Sequence, residues 1–489
     1  MNLLHDDIKK GLAQLIQEGF KAMEVEESLE NIYAQISISP KLNLGHFAYP
    51  LFPFAKTLRN APAKIAAELA SNLPESDLFE KAEPAGPYLN FTLSQAKLGE
   101  LAAQPILDGS FFQRNLTKGA PKTMIEYSQP NTHKELHVGH MRNLALGDAL
   151  IRMHRYCDFD IVSATFPGDV GTHVAKCLWY MKHHNTEAVP ETDKGAWLGT
   201  MYSRASIKLA DEKETEKNTE NQAAITEILK QLEAKEGEYF DLWKETREWS
   251  VALMKQVYGW ADVEFDAWYW ESDVDSPSVA LAKELFAEGK LIESDGAIGM
   301  DLEEDKLGFA MLLKRDGTGL YLTKDVDLAK RKFEDYEVKK SVYVVDKRQK
   351  HHFQQVFKVL EKLGFEQAKD CYHLQYDYVE LPDGPMSSRK GNVVPIMDLI
   401  EQMEAAISNN YLTKSVENGI LTQEETQAVA EIVAKGAIKY GMIRIDTTKK
   451  IVFEMDKWID IKGDSGPYQQ YTYARIKSLC RKQGFDPNG

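Results

Sequence analysis

The pattern that most restricts the fold begins at residue 123, where short apolar runs start to alternate with helical segments. Thr123-Met124-Ile125-Glu126-Tyr127 reads as a strand, His137 to Tyr156 as a helix, and Asp160 to Thr165 as a second strand. Further strands are expected at Leu320–Thr323 and Ser341–Val345, each followed by a helical run. Strands joined through helices lie parallel, with the helices covering both faces, so the expected class is α/β with a doubly wound parallel sheet. At 489 residues the chain exceeds one core and should divide into roughly three domains. Residues 1 to about 115 read as an α+β domain. Ile8, Leu12, Leu15, Ile16 and Phe20 recur there at helical spacing, a second helix is expected near 56–72, and Gly86 to Thr92 reads as a strand. Gly109 to Lys122 has linker composition. The α/β region is placed at 119–400, interrupted at about 180–262 by a helical stretch whose alternating charges suggest a solvated insertion. Residues 401–489 read as helical: Ile400, Met403 and Ile407 share helical spacing, as do Val429, Ile432, Val433, Ala437 and Tyr440.

Composition removes several classes. No run is apolar for long enough to cross a bilayer, and the first twenty residues lack the apolar core of a secretion signal. Cys157, Cys177, Cys371 and Cys480 stand apart, so neither a metal site nor a disulfide framework is expected. A cytoplasmic, reduced protein with no membrane partner is the default. The net charge of −16 argues against broad binding of phosphate backbones, yet a local basic patch can still serve one. An acidic excess also suits a small cationic substrate.

The chemistry concentrates in His137-Val138-Gly139-His140, which follows the first sheet strand and opens a helix. Imidazoles placed there can hydrogen-bond phosphates and stabilise charge developing at phosphorus. The helix N-terminus adds unpaired N–H groups, and Gly139 lets a base or ribose approach the backbone. Taken alone, the four letters also fit two ordinary helix-start histidines. A second element, Pro385-Met386-Ser387-Ser388-Arg389-Lys390-Gly391-Asn392, lies about 245 residues later. A loop with hydroxyls, two cations and glycine can fold over a triphosphate and hold leaving pyrophosphate. Alone it would read as a basic surface loop.

Together, HxGH and the distant MSSRKGN resemble the paired signatures of class I aminoacyl-tRNA synthetases. Glu126 to Asn131, Lys134, Gly168-Asp169-Val170-Gly171-Thr172, Tyr321-Leu322-Thr323-Lys324-Asp325 and Gly466 to Tyr471 are similar to the arginine-specific branch. The similarity covers essentially the whole chain. It implies a Rossmann-like catalytic domain, an N-terminal domain that binds the tRNA elbow, and a helical region opening an anticodon-binding domain. The implied reaction joins arginine to tRNA(Arg): the arginine carboxylate attacks the α-phosphorus of ATP, pyrophosphate leaves with Mg²⁺, and the tRNA terminal ribose takes the aminoacyl group. A monomer is implied. His137, His140, Lys134, Ser387, Arg389 and Lys390 would carry the chemistry, with His137, Gly139, His140, Met386 and Ser388 touching ATP. The guanidinium group presents five donors in a rigid fork, which carboxylates match. The resemblance assigns that task to Glu271 and Asp325, with Tyr321 beside them. Ser128, Asn131 and Gln349 match positions for the arginine α-amino and carboxylate groups, supported by Glu126. Tyr88 and Asn90 resemble positions that stack on and read an unstacked tRNA base. Otherwise Tyr88 belongs to the core and Asn90 to a turn.

The class I loop ordinarily carries two lysines, where this chain has Pro385 and Ser388. Lys134, three residues before His137, is expected to replace that charge; its other reading is a solvated helix-edge lysine. The rival functions are a synthetase for another amino acid and an inactive tRNA-binding paralogue. Unclustered cysteines disfavour a cysteine-selecting zinc site, the carboxylates at 271 and 325 disfavour glutamate or glutamine, and both signature histidines argue against inactivity. Tyr468, Tyr471, Ile476 and Leu479 form a stripe that one neighbouring helix could not cover, and Phe485 to Gly489 has turn composition. A C-terminally truncated chain with weak tRNA binding and low charging activity is therefore expected.

Overall fold

The computed structural model describes residues 4–107, 117, 119–382, 384–385 and 393–484. Two compact units divide the chain, Met1–Lys118 and Gly119–Gly489.

The first unit contains α1 (Leu4–Ala22), α2 (Leu29–Gln35), β1 (Ser37–Ile38), β2 (Phe47–Pro50), α3 (Pro62–Asn72), β3 (Phe79–Ala85), β4 (Tyr88–Leu93) and α4 (Gln95–Leu107). Its antiparallel sheet runs β1-β2-β4-β3. Ile8, Leu12, Ile16 and Phe20 place one face of α1 in the core against Ile65, Leu69, Tyr49 and Phe91, which is where their spacing put them. The β3–β4 turn is Gly86-Pro87, with Gly86 at φ 59°, the left-handed backbone that a two-residue hairpin of this twist requires.

The second unit begins with β5 (Thr123–Glu126), α5 (Val138–Tyr156) and β6 (Ile161–Thr165). Four helices follow: α6 (Thr172–His183), α7 (Lys194–Asp211), α8 (Lys217–Ala234) and α9 (Glu238–Trp260). Then come β7 (Ala267–Trp268), α10 (Glu271–Ala287) and the antiparallel β8 (Ile292–Ser294), β9 (Ala297–Leu302) and β10 (Gly308–Leu313). The α/β pattern resumes with α11 (Tyr321–Tyr336), β11 (Lys340–Asp346), α12 (Lys350–Lys362) and β12 (Cys371–Tyr376), followed by β13 (Val379–Leu381) and β14 (Gly384–Pro385). The last elements are α13 (Ile396–Ile407), α14 (Thr413–Glu417), α15 (Gln423–Ile443), β15 (Ile451–Val452), α16 (Met455–Ile459) and α17 (Gly466–Lys482). The central sheet runs β12-β11-β5-β6-β7 and every pair in it is parallel. All four β5 residues are buried, as a central strand covered on both faces requires.

The structure corrects three expectations. Leu320–Thr323 is not a strand: Leu320 caps α11, and Thr323 Oγ1 accepts the Leu320 N–H at 3.1 Å. A run that short carries no periodicity of its own, and the cap geometry decides it. The stretch read as solvated holds cores of its own, with Leu198, Met201 and Tyr202 in one and Trp179, Ile225 and Ile228 in another. On α15 the buried face is Ala430, Ala434, Ala437, Ile438 and Met442, whereas Ile432 is 60% exposed. Small side chains let neighbouring helices come close: a Cβ at Gly466 would strike the Gly436 carbonyl.

Candidate active site

Strand order reverses at β5. From there the chain moves outward through β6 and β7, and it returns to set β11 on the other side. Loops leaving the C-terminal ends of β5 and β11 diverge around a crevice, the place where open parallel sheets bind ligands. Residues 127–137 form the first of these loops, and the turn Lys347–Gln349 begins the second.

His137 caps α5. The Gly139 N–H donates to His137 Nδ1 at 3.1 Å, and the His137 N–H donates to His140 Nδ1, also at 3.1 Å. Their ring centroids lie 4.0 Å apart. Burial pushes His137 down to about 4 and His140 well below the ordinary imidazole value, and nearby Lys134 acts in the same direction. Both rings are therefore neutral at pH 7. With Nδ1 accepting, each keeps its proton on Nε2, a donor suited to phosphate oxygen at a helix N-terminus.

Met386, Ser387, Ser388, Arg389 and Lys390 lie outside the described residues. The chain that follows them runs against the histidine segment: the Val138 N–H donates to the Val394 carbonyl at 3.1 Å, and the Ile396 N–H to the Leu136 carbonyl at 2.8 Å. His137 and Pro395 face each other in an antiparallel bridge. The segment Val394–Ile396, far along the chain, is thereby adjacent to the histidine segment. Lys134 Nζ stands 5.2 Å from the centroid of the Tyr202 ring.

Beside this region Asn131 bridges Gly168. A Cβ on Gly168 would lie 2.5 Å from Asn131 Oδ1 and 2.9 Å from Glu271 Oε2, so glycine is what lets these two acceptors approach one spot. Glu271 is 5% exposed, and its Oε1 accepts from Lys324 Nζ at 2.7 Å; the same ammonium reaches Asp275 Oδ1 at 2.6 Å. Burial opposes the Lys324 charge, but the two carboxylates prevail and hold its pKa above the ordinary lysine value. Fully buried Asp169 fixes the start of α10 by accepting the Ser272 N–H and hydroxyl, each at 2.8 Å, and Arg247 Nε at 2.7 Å. Tyr321 is 67% exposed. Partial desolvation raises its phenol; the charges of Glu271 and Asp325 add to the rise and that of Lys324 opposes it. Asp325 Oδ2 lies 2.5 Å from His352 Nε2, and Gln349 is exposed at the end of its turn.

Other expected site residues are engaged within the core. Glu126 is 4% exposed, ion-paired with Lys332, and accepts from Gln129 Nε2 at 3.1 Å. Ser128 has φ 56°, donates its N–H to Asn143 Oδ1 and shares a 2.9 Å hydroxyl contact with Tyr258. Tyr88 and Asn90 belong to the other unit. Tyr88 is 39% exposed, with its ring 6.0 Å from Phe52, so it is not a core residue, and Asn90 lies buried within β4 rather than in a turn. Lys324 and Asp169 sit inside blocks that the sequence singled out but gave no role. Nothing local marks Lys332 or Asn143 as partners of Glu126 and Ser128. Among the described residues, no three His, Cys, Asp or Glu side chains cluster as metal ligands.

A family model described as the catalytic domain of class I (R) tRNA synthetases matches residues 106–455, and one for the arginyl tRNA synthetase N-terminal domain matches residues 2–93. The chain is 56% identical over 480 residues to an arginine–tRNA ligase of Bdellovibrio bacteriovorus, a span taking in 98% of this chain and 82% of that one. It is 33% identical over 490 residues to an arginine–tRNA ligase of Treponema denticola, with 98% and 81% covered. The solved arginyl-tRNA synthetase of Thermus thermophilus superposes with a TM-score of 0.73 at 26% identity, over 97% of this chain and 82% of that one. The expected truncation draws no support from these matches.

Proposed function

The chain belongs to the class I arginyl-tRNA synthetases, and on that premise we propose how its residues join arginine to tRNA(Arg) with ATP. The observation that carries the reading is the neutral His137–His140 pair at a helix N-terminus, with Lys134 in the loop just ahead of it. The phosphates of ATP lie toward the two Nε2–H groups at the positive end of the α5 dipole, with Gly139 leaving room for the nucleoside. Met386 and Ser388 complete the ATP contacts. Lys134, Ser387, Arg389 and Lys390 take the charge that develops on the α-phosphorus and the departing pyrophosphate. Mg²⁺ accompanies ATP and neutralises part of the triphosphate.

Glu271 and Asp325 form the acidic wall for the arginine guanidinium, with Tyr321 between them. Lys324 leaves the Glu271–Asp275 pair with one net negative charge, enough to favour a cationic substrate without stranding two buried anions. Asn131 Oδ1 accepts from the arginine α-ammonium, and Gln349 meets its carboxylate. Ser128 and Glu126 act by shaping the β5 loop. No enzyme nucleophile is required, because the substrate carboxylate attacks ATP directly and catalysis is positioning with charge stabilisation. The organisation we propose is an elbow-binding domain at 1–115 using Tyr88 and Asn90, a catalytic domain at 119–400 with its insertion at about 180–262, and a helical anticodon-binding region at 401–489. The enzyme works as a cytoplasmic monomer; no helix among the described residues is long and apolar enough to cross a membrane. ATP–pyrophosphate exchange tests the whole reading. Exchange should require arginine together with tRNA(Arg) and fail with citrulline, which lacks the charge. Exchange independent of arginine would overturn the assignment.

A further inference from the structure

The loop bearing Lys134 is gripped by helices that lie between the sheet strands in sequence. His133 has φ 58° and no exposed surface. Its N–H donates to Ser250 Oγ on α9 at 2.9 Å, and its ring Nε2 lies 2.8 Å from Thr246 Oγ1 on the same helix. Two residues on, the backbone of Glu135 lies against Gly199 of α7: a Cβ there would come within 2.8 Å of Glu135 N and 2.9 Å of its Cα. Lys134 stands between these two grips, and the face it meets is Tyr202, one turn beyond Gly199. Tyr202 is 5% exposed and packed with Leu198 and Met201, so its ring is a fixed surface. An aromatic face at 5.2 Å from an ammonium attracts it, more strongly when both are shielded from water. It also removes rotamer freedom from a flexible four-carbon stem.

We infer that Tyr202 is a positioning residue for adenylate formation: its ring aims the Lys134 ammonium, and α7 thereby ties the helical insertion to the catalytic centre. This rests on the proposed role of Lys134, so the experiment must separate the two. Pyrophosphate exchange is measured with arginine, ATP and tRNA(Arg) for Tyr202→Phe, Tyr202→Leu, Lys134→Ala and the double variant Tyr202→Leu/Lys134→Ala. Tyr202→Phe keeps the ring and should stay within about twofold of the parent. Tyr202→Leu should lower kcat about tenfold while the arginine KM stays within about twofold. In the Lys134→Ala background the same change should cause no further loss, because the group it aims is gone. An unchanged kcat in Tyr202→Leu beside an impaired Lys134→Ala overturns the positioning role and leaves the reading of Lys134 intact. So does a full tenfold loss in the Lys134→Ala background. Parent-like exchange by Lys134→Ala overturns both. Thermal melting establishes that each variant folds; if Tyr202→Leu does not, Tyr202→Met, whose unbranched chain fills irregular gaps without a ring face, takes its place under the same criteria.

Discussion

Two charges decide most of what the crevice can do, and each belongs to a residue whose neighbours set its behaviour. Lys134 precedes a pair of imidazoles that burial keeps neutral, and with Arg348 it brings positive charge near His137. Lys134→Ala should therefore lower kcat for adenylate formation by roughly 10²-fold, about 2.7 kcal/mol, with the arginine KM nearly unchanged. Single-turnover adenylate formation checks this, and a parent-like rate in a folded variant would return Lys134 to an ordinary surface lysine. In the proposed reading Asp325 works at the other end of the substrate. It lies against His352. Asp325→Asn keeps the shape and removes the charge, so the arginine KM should rise at least tenfold, about 1.4 kcal/mol, with a much smaller change for ATP. Steady-state kinetics in both substrates would expose a wrong pocket assignment through an unaltered arginine KM.

At the level of elements, the fit of α5 onto β5 places the histidines. Gly147 makes that fit possible, because a Cβ there would be driven into the fully buried Tyr127 ring. Alanine is the better helix former by about 1 kcal/mol, yet overpacking a closed interface costs about 1–3 kcal/mol or more. With a ring and backbone that have nowhere to move, the steric effect wins. Gly147→Ala should destabilise the chain by about 2 kcal/mol and displace the N-terminus of α5. Gly99, in α4, has open space where its Cβ would be. Gly99→Ala should thus stabilise the first unit by up to about 1 kcal/mol. Urea unfolding of both variants checks the pair. A stabilised Gly147→Ala would mean that helix propensity, not packing, governs position 147.

Across the whole molecule, burial has left several titratable groups in states that resist acid. His133 is held down to about 3 and His137 to about 4, and His140 and His173 lie well below the ordinary value, all chiefly through desolvation. In the unfolded chain each takes a proton near pH 6.5, whereas the folded chain does not. Their contribution to stability is complete above about pH 6.5 and declines as pH falls toward the folded values, at up to about 1.4 kcal/mol per pH unit for each histidine. Glu135 works in the opposite sense: burial, and then Asp398, raise it to about 7, so its contribution is lost as pH rises from about 4.5 through 7. Four groups oppose one, and stability should drop steeply below about pH 6.5 and change little from 7 to 8. Denaturant midpoints at pH 5, 6, 7 and 8 test this, and a flat profile between 5 and 7 would show that these histidines are solvated.

The sequence by itself determined the α/β class, the buried stripe of α1 and the seat of the HxGH element at a strand–helix junction. Each of these is written in residues close along the chain, as a period, a cap or a change of texture. It also singled out Asn131, Glu271 and Asp325, because their motif blocks are contiguous. What it did not contain was the partner of each charge. Lys324 on Glu271 spans 53 residues and Lys332 on Glu126 spans 206, while Leu320–Thr323 has strand-like composition but is held as a helix start by Leu312 and Thr323. Desolvation and counter-ions are properties of a surrounding volume, and that volume exists only after β11 has closed against β5. Tertiary structure therefore decided that the histidines are neutral, that Glu126 is paired within the core, and that Lys134 faces an aromatic ring.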